Sequence, residues 1–107
     1  MIARIWHGWT TPENAEPYQS LLLSEILPGI DDRIDGFEGA YVLRREAGDE
    51  VEFVTVTLFA SYDAVRAFAG EDYERAVVVE EGRRLLSRFD ERSQHYETVL
   101  APDTRRT

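Results

Sequence analysis

Residues 37–59 read FEGAYVLRREAGDEVEFVTVTLF, and this stretch decides the fold. Phe37 to Arg45 is a run rich in strand-forming residues. Ala47-Gly48-Asp49-Glu50 has the composition of a turn, and Val51 to Phe59 is a second such run. Two strands joined by a short Gly-containing loop make a β-hairpin. In the second run Phe53, Thr55, Thr57 and Phe59 alternate with Val54, Val56 and Leu58. Side chains alternate across a strand, so both faces of this one are largely apolar. That is the pattern of a central strand covered on both sides.

Outward from the hairpin, the chain supplies the remaining elements in a definite order. Ile2 to Trp9 is a strand, with Ala3, Ile5, His7 and Trp9 on one face and Ile2, Arg4, Trp6 and Gly8 on the other. Thr10 or Thr11 caps a helix with Pro12 at its first position and Glu13 placed as in a capping box. Ala15, Tyr18, Leu22 and Ile26 recur at helical spacing, Pro17 sits awkwardly within the run, and Pro28-Gly29 is expected to end it. Ile30 to Gly36 then reads as an acidic connector. After the hairpin, Ser61 caps a second helix that turns Ala64, Val65 and Phe68 inward and stops at Gly70. A further turn is expected near Tyr73, Ala76 and Val77. A helical piece follows over 80–89, and a last strand over 94–100.

The order β-α-β-β-α-β predicts a ferredoxin-like α+β domain over residues 1–101, with 102–107 as a tail. Right-handed crossovers place the first and third strands at the centre of one antiparallel sheet, with the helices on one face. The other face is also apolar and needs a cover. A second copy of the chain is the simplest one, and two such sheets face to face form a dimeric α+β barrel.

Composition narrows the partners. There are 21 acidic against 12 basic residues, every basic one is Arg, and the formal net charge is -9. Nucleic acid and anionic membranes need a positive footprint, so neither is an expected partner. With no Cys, thiol nucleophiles, disulfides and thiolate metal sites are excluded. The opening residues lack the charged start and apolar stretch of a signal peptide, so a cytoplasmic location is expected.

Only two His are present. His7 has the right intrinsic pKa for a general base near neutrality, and its face of the first strand is expected to look toward the helices. Trp9, Tyr18, Phe68 and Tyr73 are the aromatics that could line a flat pocket. His95 opens the last strand beside the first. Pairing His7 with His95 brings Glu97 to the same face and suggests a metal site. Pairing Arg4 with Glu97 and Trp6 with His95 matches charges instead, and is preferred. No metal is therefore expected.

Several segments are similar to those of the antibiotic-biosynthesis-monooxygenase (ABM) family. They are Ala3-Arg4-Ile5-Trp6-His7-Gly8, Phe37 to Arg45, Ala67 to Ala76, and His95-Tyr96-Glu97, in the family's order over nearly the whole chain. The resemblance implies a dimeric barrel with a pocket between sheet and helices. It implies several activities, because fold does not settle function. The haem-degrading branch places an Asn in the first strand, a Trp in the second helix and a ligating His about ten residues later. Here those positions hold His7, Phe68, and Val77 or Val78, so the iron lacks its axial ligand. What the resemblance then favours is a cofactor-independent monooxygenase acting on a planar phenol or quinol. His7 would be its base, Tyr73 would stabilise the oxygenated anion, and Trp9, Tyr18 and Phe68 would hold the ring. A non-catalytic, dimeric small-molecule-binding or stress-related protein is the alternative.

Overall fold

The computed structural model of the chain describes residues 1–102. The hairpin forms β2 (Phe37–Ala47) and β3 (Glu50–Phe59), tightened to a two-residue turn. Gly48, at φ +69°, takes the first central position, where a type II′ turn demands a positive φ. β1 (Ile2–Thr10) lies antiparallel beside β3 in an unbroken register from Ile2 opposite Phe59 to Thr10 opposite Val51. The far edge of β1 is shared by two short strands. β4 (Leu86–Phe89) pairs with its Gly8–Thr10 end and β5 (Gln94–Glu97) with its Ile2–Ile5 end. The sheet order β2-β3-β1-β4, with β5 also on β1, is the ferredoxin-like topology expected from the element order.

The helices pack on one face of this sheet. α1 (Pro12–Leu21) starts under a Thr11 cap, whose side-chain oxygen accepts from the Asn14 amide. Pro28-Gly29 does not end this helical arm. A π-helical turn over Leu22–Ile26 passes directly into α2 (Leu27–Arg33), leaving only Ile34 to Gly36 as connector. The reason is local. Pro28 has no amide to donate and its ring crowds the carbonyl four residues back. Widening the turn, with the Leu27 amide bonded to the Leu22 carbonyl, carries the chain past that position. α3 (Tyr62–Ala69) is capped by Ser61 and ends at Gly70, as expected.

The expected helix over 80–89 is also corrected. α4 covers Glu80–Leu85 only, and Leu86–Phe89 is β4. Apolar residues at 85, 86 and 89 fit either period, and the free edge of β1 decides for strand. The last strand is correspondingly shorter, Gln94–Glu97. The tail expected over 102–107 lies, apart from Pro102, outside the described residues. Among the described residues no helix is long and apolar enough to cross a membrane.

The core under the helices comes in two parts. One joins Ala15, Tyr18, Leu22, Val51, Phe53 and Leu86; the other joins Ile2, Phe59, Ala64 and Val65. Gly8 belongs beside the first part because a Cβ there would meet Leu86 at 2.9 Å and the Trp6 ring at 3.2 Å. Between the two parts, the sheet offers only Arg4 and Trp6 from β1 opposite Thr57 and Thr55 from β3. Two Thr side chains are too short to fill the space left between two Phe, and a void opens over them.

Candidate functional site

That void is a cavity of about 340 Å³ between the sheet and the helical arm. Its size lies at the small end of the range of ligand sites. The walls are Leu21, Leu22, Ile26 and Ile30 from the helical arm, Tyr18 from α1, Phe68 from α3 and Val77 to Val79 from the segment before α4. The π-helical turn contributes Leu22, Glu25 and Ile26, so the irregularity forced by Pro28 shapes the wall directly. The floor is polar: Arg4, Thr55 and Thr57 from the sheet, with Ser93 beside them. Glu25, Glu81 and Arg33 are exposed lining residues and carry its charge toward solvent.

Arg4 is the unusual member of this set. It is 4 % exposed and makes no ion pair among the described residues. Its guanidinium donates to the Tyr73 carbonyl, to the Arg75 carbonyl at 3.0 Å and to His95 Nε2 at 3.0 Å, and it lies over the Phe68 ring. Burial lowers its pKa to about 10, which still leaves it charged at neutral pH. Burial acts on Tyr18 in the opposite sense, raising its pKa and holding the phenol protonated.

The structure separates the residues expected to act together. Tyr18 and Phe68 line the cavity. His7 and Trp9 do not: they stand on the sheet face opposite the helices, with Ile5, Val54 and Val56. The expected orientation of the first strand is thus reversed, and Arg4 and Trp6 face the cavity in their place. His7 Nδ1 pairs with Asp90 Oδ2 at 2.8 Å, and its ring stacks on Trp9. Tyr73 is likewise not a lining residue. Its ring packs against Tyr62 and His95, and its contribution to the site is the backbone carbonyl that accepts from Arg4.

Both registers weighed for the last strand are corrected. Arg4 stands opposite His95 and Ile2 opposite Glu97, two residues from the preferred pairing. His7 and His95 therefore lie on opposite faces, and no His-His-Glu group forms. The observed register gives Arg4 a neutral acceptor. Because Arg4 donates to Nε2, the His95 proton sits on Nδ1, a buried atom without a partner among the described residues. Burial first, and the Arg4 charge second, push the His95 pKa below its ordinary 6.5. The folded state thus disfavours the protonated ring. Its contribution to stability is fully present above about pH 6.5 and is lost as pH falls through the lower folded value. His95→Gln keeps an acceptor for Arg4 and does not titrate. It is expected to flatten the loss of stability of the wild type below pH 6.5, measured by urea unfolding at several pH values. Parallel profiles for the two proteins would contradict this.

Haem does not fit these residues. The cavity presents neither imidazole nor thiol, Val77 and Val78 stand in its wall, and the buried Tyr18 is held in the protonated form, which is a poor iron ligand.

Three solved structures share the fold over nearly their whole length. A provisional antibiotic biosynthesis monooxygenase from Bacillus cereus matches 96 % of this chain and 97 % of its own, at 14 % identity and a TM-score of 0.64. The heme-degrader MhuD from Mycobacterium tuberculosis, solved with two hemes in its active site, matches 96 % of this chain and 100 % of its own, at 20 % identity and a TM-score of 0.60. Rv0793 from the same organism matches 95 % and 98 %, at 16 % identity and a TM-score of 0.63. No family model and no curated protein matches the sequence. At such low identities the likeness establishes the fold and leaves the chemistry to be argued from the cavity.

Proposed function

We propose that this chain, which has the fold of antibiotic-biosynthesis-monooxygenase-type proteins, is a cofactor-independent oxygenase for a planar aromatic phenol or quinol. The observation that carries the reading is the preformed cavity, apolar along its inner walls, polar at its floor and charged at its exposed rim. A flat ring system gains by area burial against Leu22, Val78 and Phe68, and its oxygen reaches the floor. The substrate supplies the electrons. In the keto tautomer of such a phenol, a ring CH₂ conjugated with the carbonyl loses one proton, and the resulting anion passes an electron to O₂. The two radicals join as a peroxide. Loss of water then leaves a new carbonyl: one oxygen atom stays on carbon, and the other departs with both hydrogens. The protein's part is to hold the ring, exclude water and favour the anion. The carboxylates that line the cavity, Glu25 and Glu81, are the proton acceptors in this scheme, because His7 is on the other face.

Two copies of the chain complete the assembly in this reading. Tyr41 and Leu43 are about half exposed on the open sheet face, continuous with Ala3, Ile5, Val54, Val56 and Leu58. An apolar face of this extent is a liability in a monomer. Sedimentation that finds only monomer at micromolar concentration would remove this part of the proposal.

The second reading, a binding protein without catalysis, is favoured by one feature: the cavity holds no imidazole. Oxygen uptake decides between them. With an anthrone-type tricyclic substrate in chelator-treated buffer, the wild type is expected to consume O₂ well above the buffer rate. Uptake at the buffer rate, with the same compound shown to bind, selects the binding protein.

A further inference from the structure

We infer that the cavity takes its ligand as a monoanion, a carboxylate or phenolate-type oxyanion seated on Arg4 and bonded to the hydroxyls of Thr55 and Ser93. The inference rests on the reading of the cavity as an aromatic-ligand site and names the charge that site selects.

Three observations carry it. First, Arg4 is a buried cation whose partners are all neutral: two carbonyls and an imidazole nitrogen. Removing a charge from water is costly, and neutral dipoles offset only part of that cost. An anion placed against the guanidinium would offset the remainder. Second, the guanidinium, which lines the cavity, has spare donors. Two N–H of one terminal nitrogen and one of the other are engaged, which leaves two of the five free. Two N–H groups are the number a carboxylate accepts from arginine in the bidentate arrangement. Third, Thr55 and Ser93 are 8 % and 2 % exposed, both line the cavity, and neither hydroxyl has a partner among the described residues. Buried hydroxyls normally find one. These hydroxyls and the free N–H groups supply donors only an acceptor-rich head would satisfy. The exposed lining residues oppose a second charge, since Glu25 and Glu81 there outnumber Arg33. One anionic head, at the floor, is the arrangement selected.

The same seat explains how the proposed reaction proceeds without a strong base inside the cavity. A fixed cation beside a bound phenol or enol stabilises its conjugate base, so carboxylates as weak as Glu25 and Glu81 suffice to take the proton at neutral pH.

The test compares 2-naphthoate with 2-naphthamide, a neutral ligand of nearly the same shape, by fluorescence titration of the full chain at pH 7.5. The wild type is expected to bind the carboxylate about tenfold tighter or more, the factor that a charge-assisted hydrogen bond supplies. Arg4→Met is expected to lose that preference and to bind the amide as the wild type does. Thr55→Val, which keeps the shape of the floor and the Arg4 seat, is expected to weaken carboxylate binding severalfold; should Arg4→Met not fold, this variant and the wild-type comparison decide. Equal affinities for the two ligands in the wild type, or a preference that survives in Arg4→Met, overturn the anion seat and leave the aromatic cavity standing. Binding of neither ligand removes the cavity reading and the inference with it.

Discussion

Phe53→Ala is expected to lower the unfolding free energy by about 3–5 kcal/mol. Phe53 is fully buried at the middle of the sheet, its ring meets Tyr18 edge-on at 5.0 Å, and Arg44 lies over it. Truncation removes the ring from both contacts and leaves a hole beside an existing cavity, which the rigid β1–β3 pairing cannot close. A domain of this size is stable by only about 5–15 kcal/mol, so much of the total is at stake. Urea unfolding should show a large fall in midpoint with an unchanged slope. Thr55→Val, one residue along the same face, is the contrast. It replaces an unpartnered buried hydroxyl with a methyl group, and its expected effect on stability is neutral or slightly positive. If Phe53→Ala cost less than Thr55→Val, the two-part core would be misdrawn.

Val78→Trp is expected to abolish aromatic-ligand binding and oxygen uptake, by about a hundredfold or more, while costing about 1–3 kcal/mol of stability. Val78 is half-buried in the cavity wall, in a segment without regular secondary structure. An indole there has the cavity as its nearest free volume. The filled space is the space the substrate needs, and the loss of a whole apolar binding surface is far larger than the loss of one contact. Val99→Trp adds the same bulk at a side chain that is 99 % exposed and should leave uptake unchanged. Full activity in Val78→Trp would place the chemistry elsewhere on the molecule.

The topology was legible because it rests on signals that need no tertiary context. A period of two, a Gly-Asp turn and the order of elements led to the hairpin and to β1 and β3 at the sheet centre. Helix ends were less legible. Pro28 reads as a stop, yet a π-helical turn absorbs it, and nothing local distinguishes the two outcomes. Leu85, Leu86 and Phe89 suit a helix and a strand alike, and only the vacant edge of β1 decides.

The orientation of β1 was less legible for a sharper reason. Both faces of β1 are apolar enough to be buried, so alternation alone does not say which one meets the helices; the face of Ala3, Ile5, His7 and Trp9 was expected there, and the face of Arg4 and Trp6 is found. Arg4, 4 % exposed, departs from the ordinary preference of Arg for solvent. A signal was present nonetheless. On one face of β3 the sequence runs Phe53, Thr55, Thr57, Phe59, two large rings flanking two small polar groups. Such a step in side-chain size inside a core strand marks a void with a polar floor. The residues paired with its centre, Arg4 and Trp6, then lie against that void. Departures from the burial rule of this kind are expected at functional sites.

In the proposed function an aromatic small molecule enters between the helices and the sheet. A ¹H–¹⁵N correlation titration with 2-naphthamide, which carries no charge, tests it most directly. The expected result is saturable shifts confined to Leu22, Ile26, Thr55, Phe68, Val78 and Gly82. Shifts on Ile5, Val54, Val56 and Leu58 of the opposite face, or none at any residue, would contradict it.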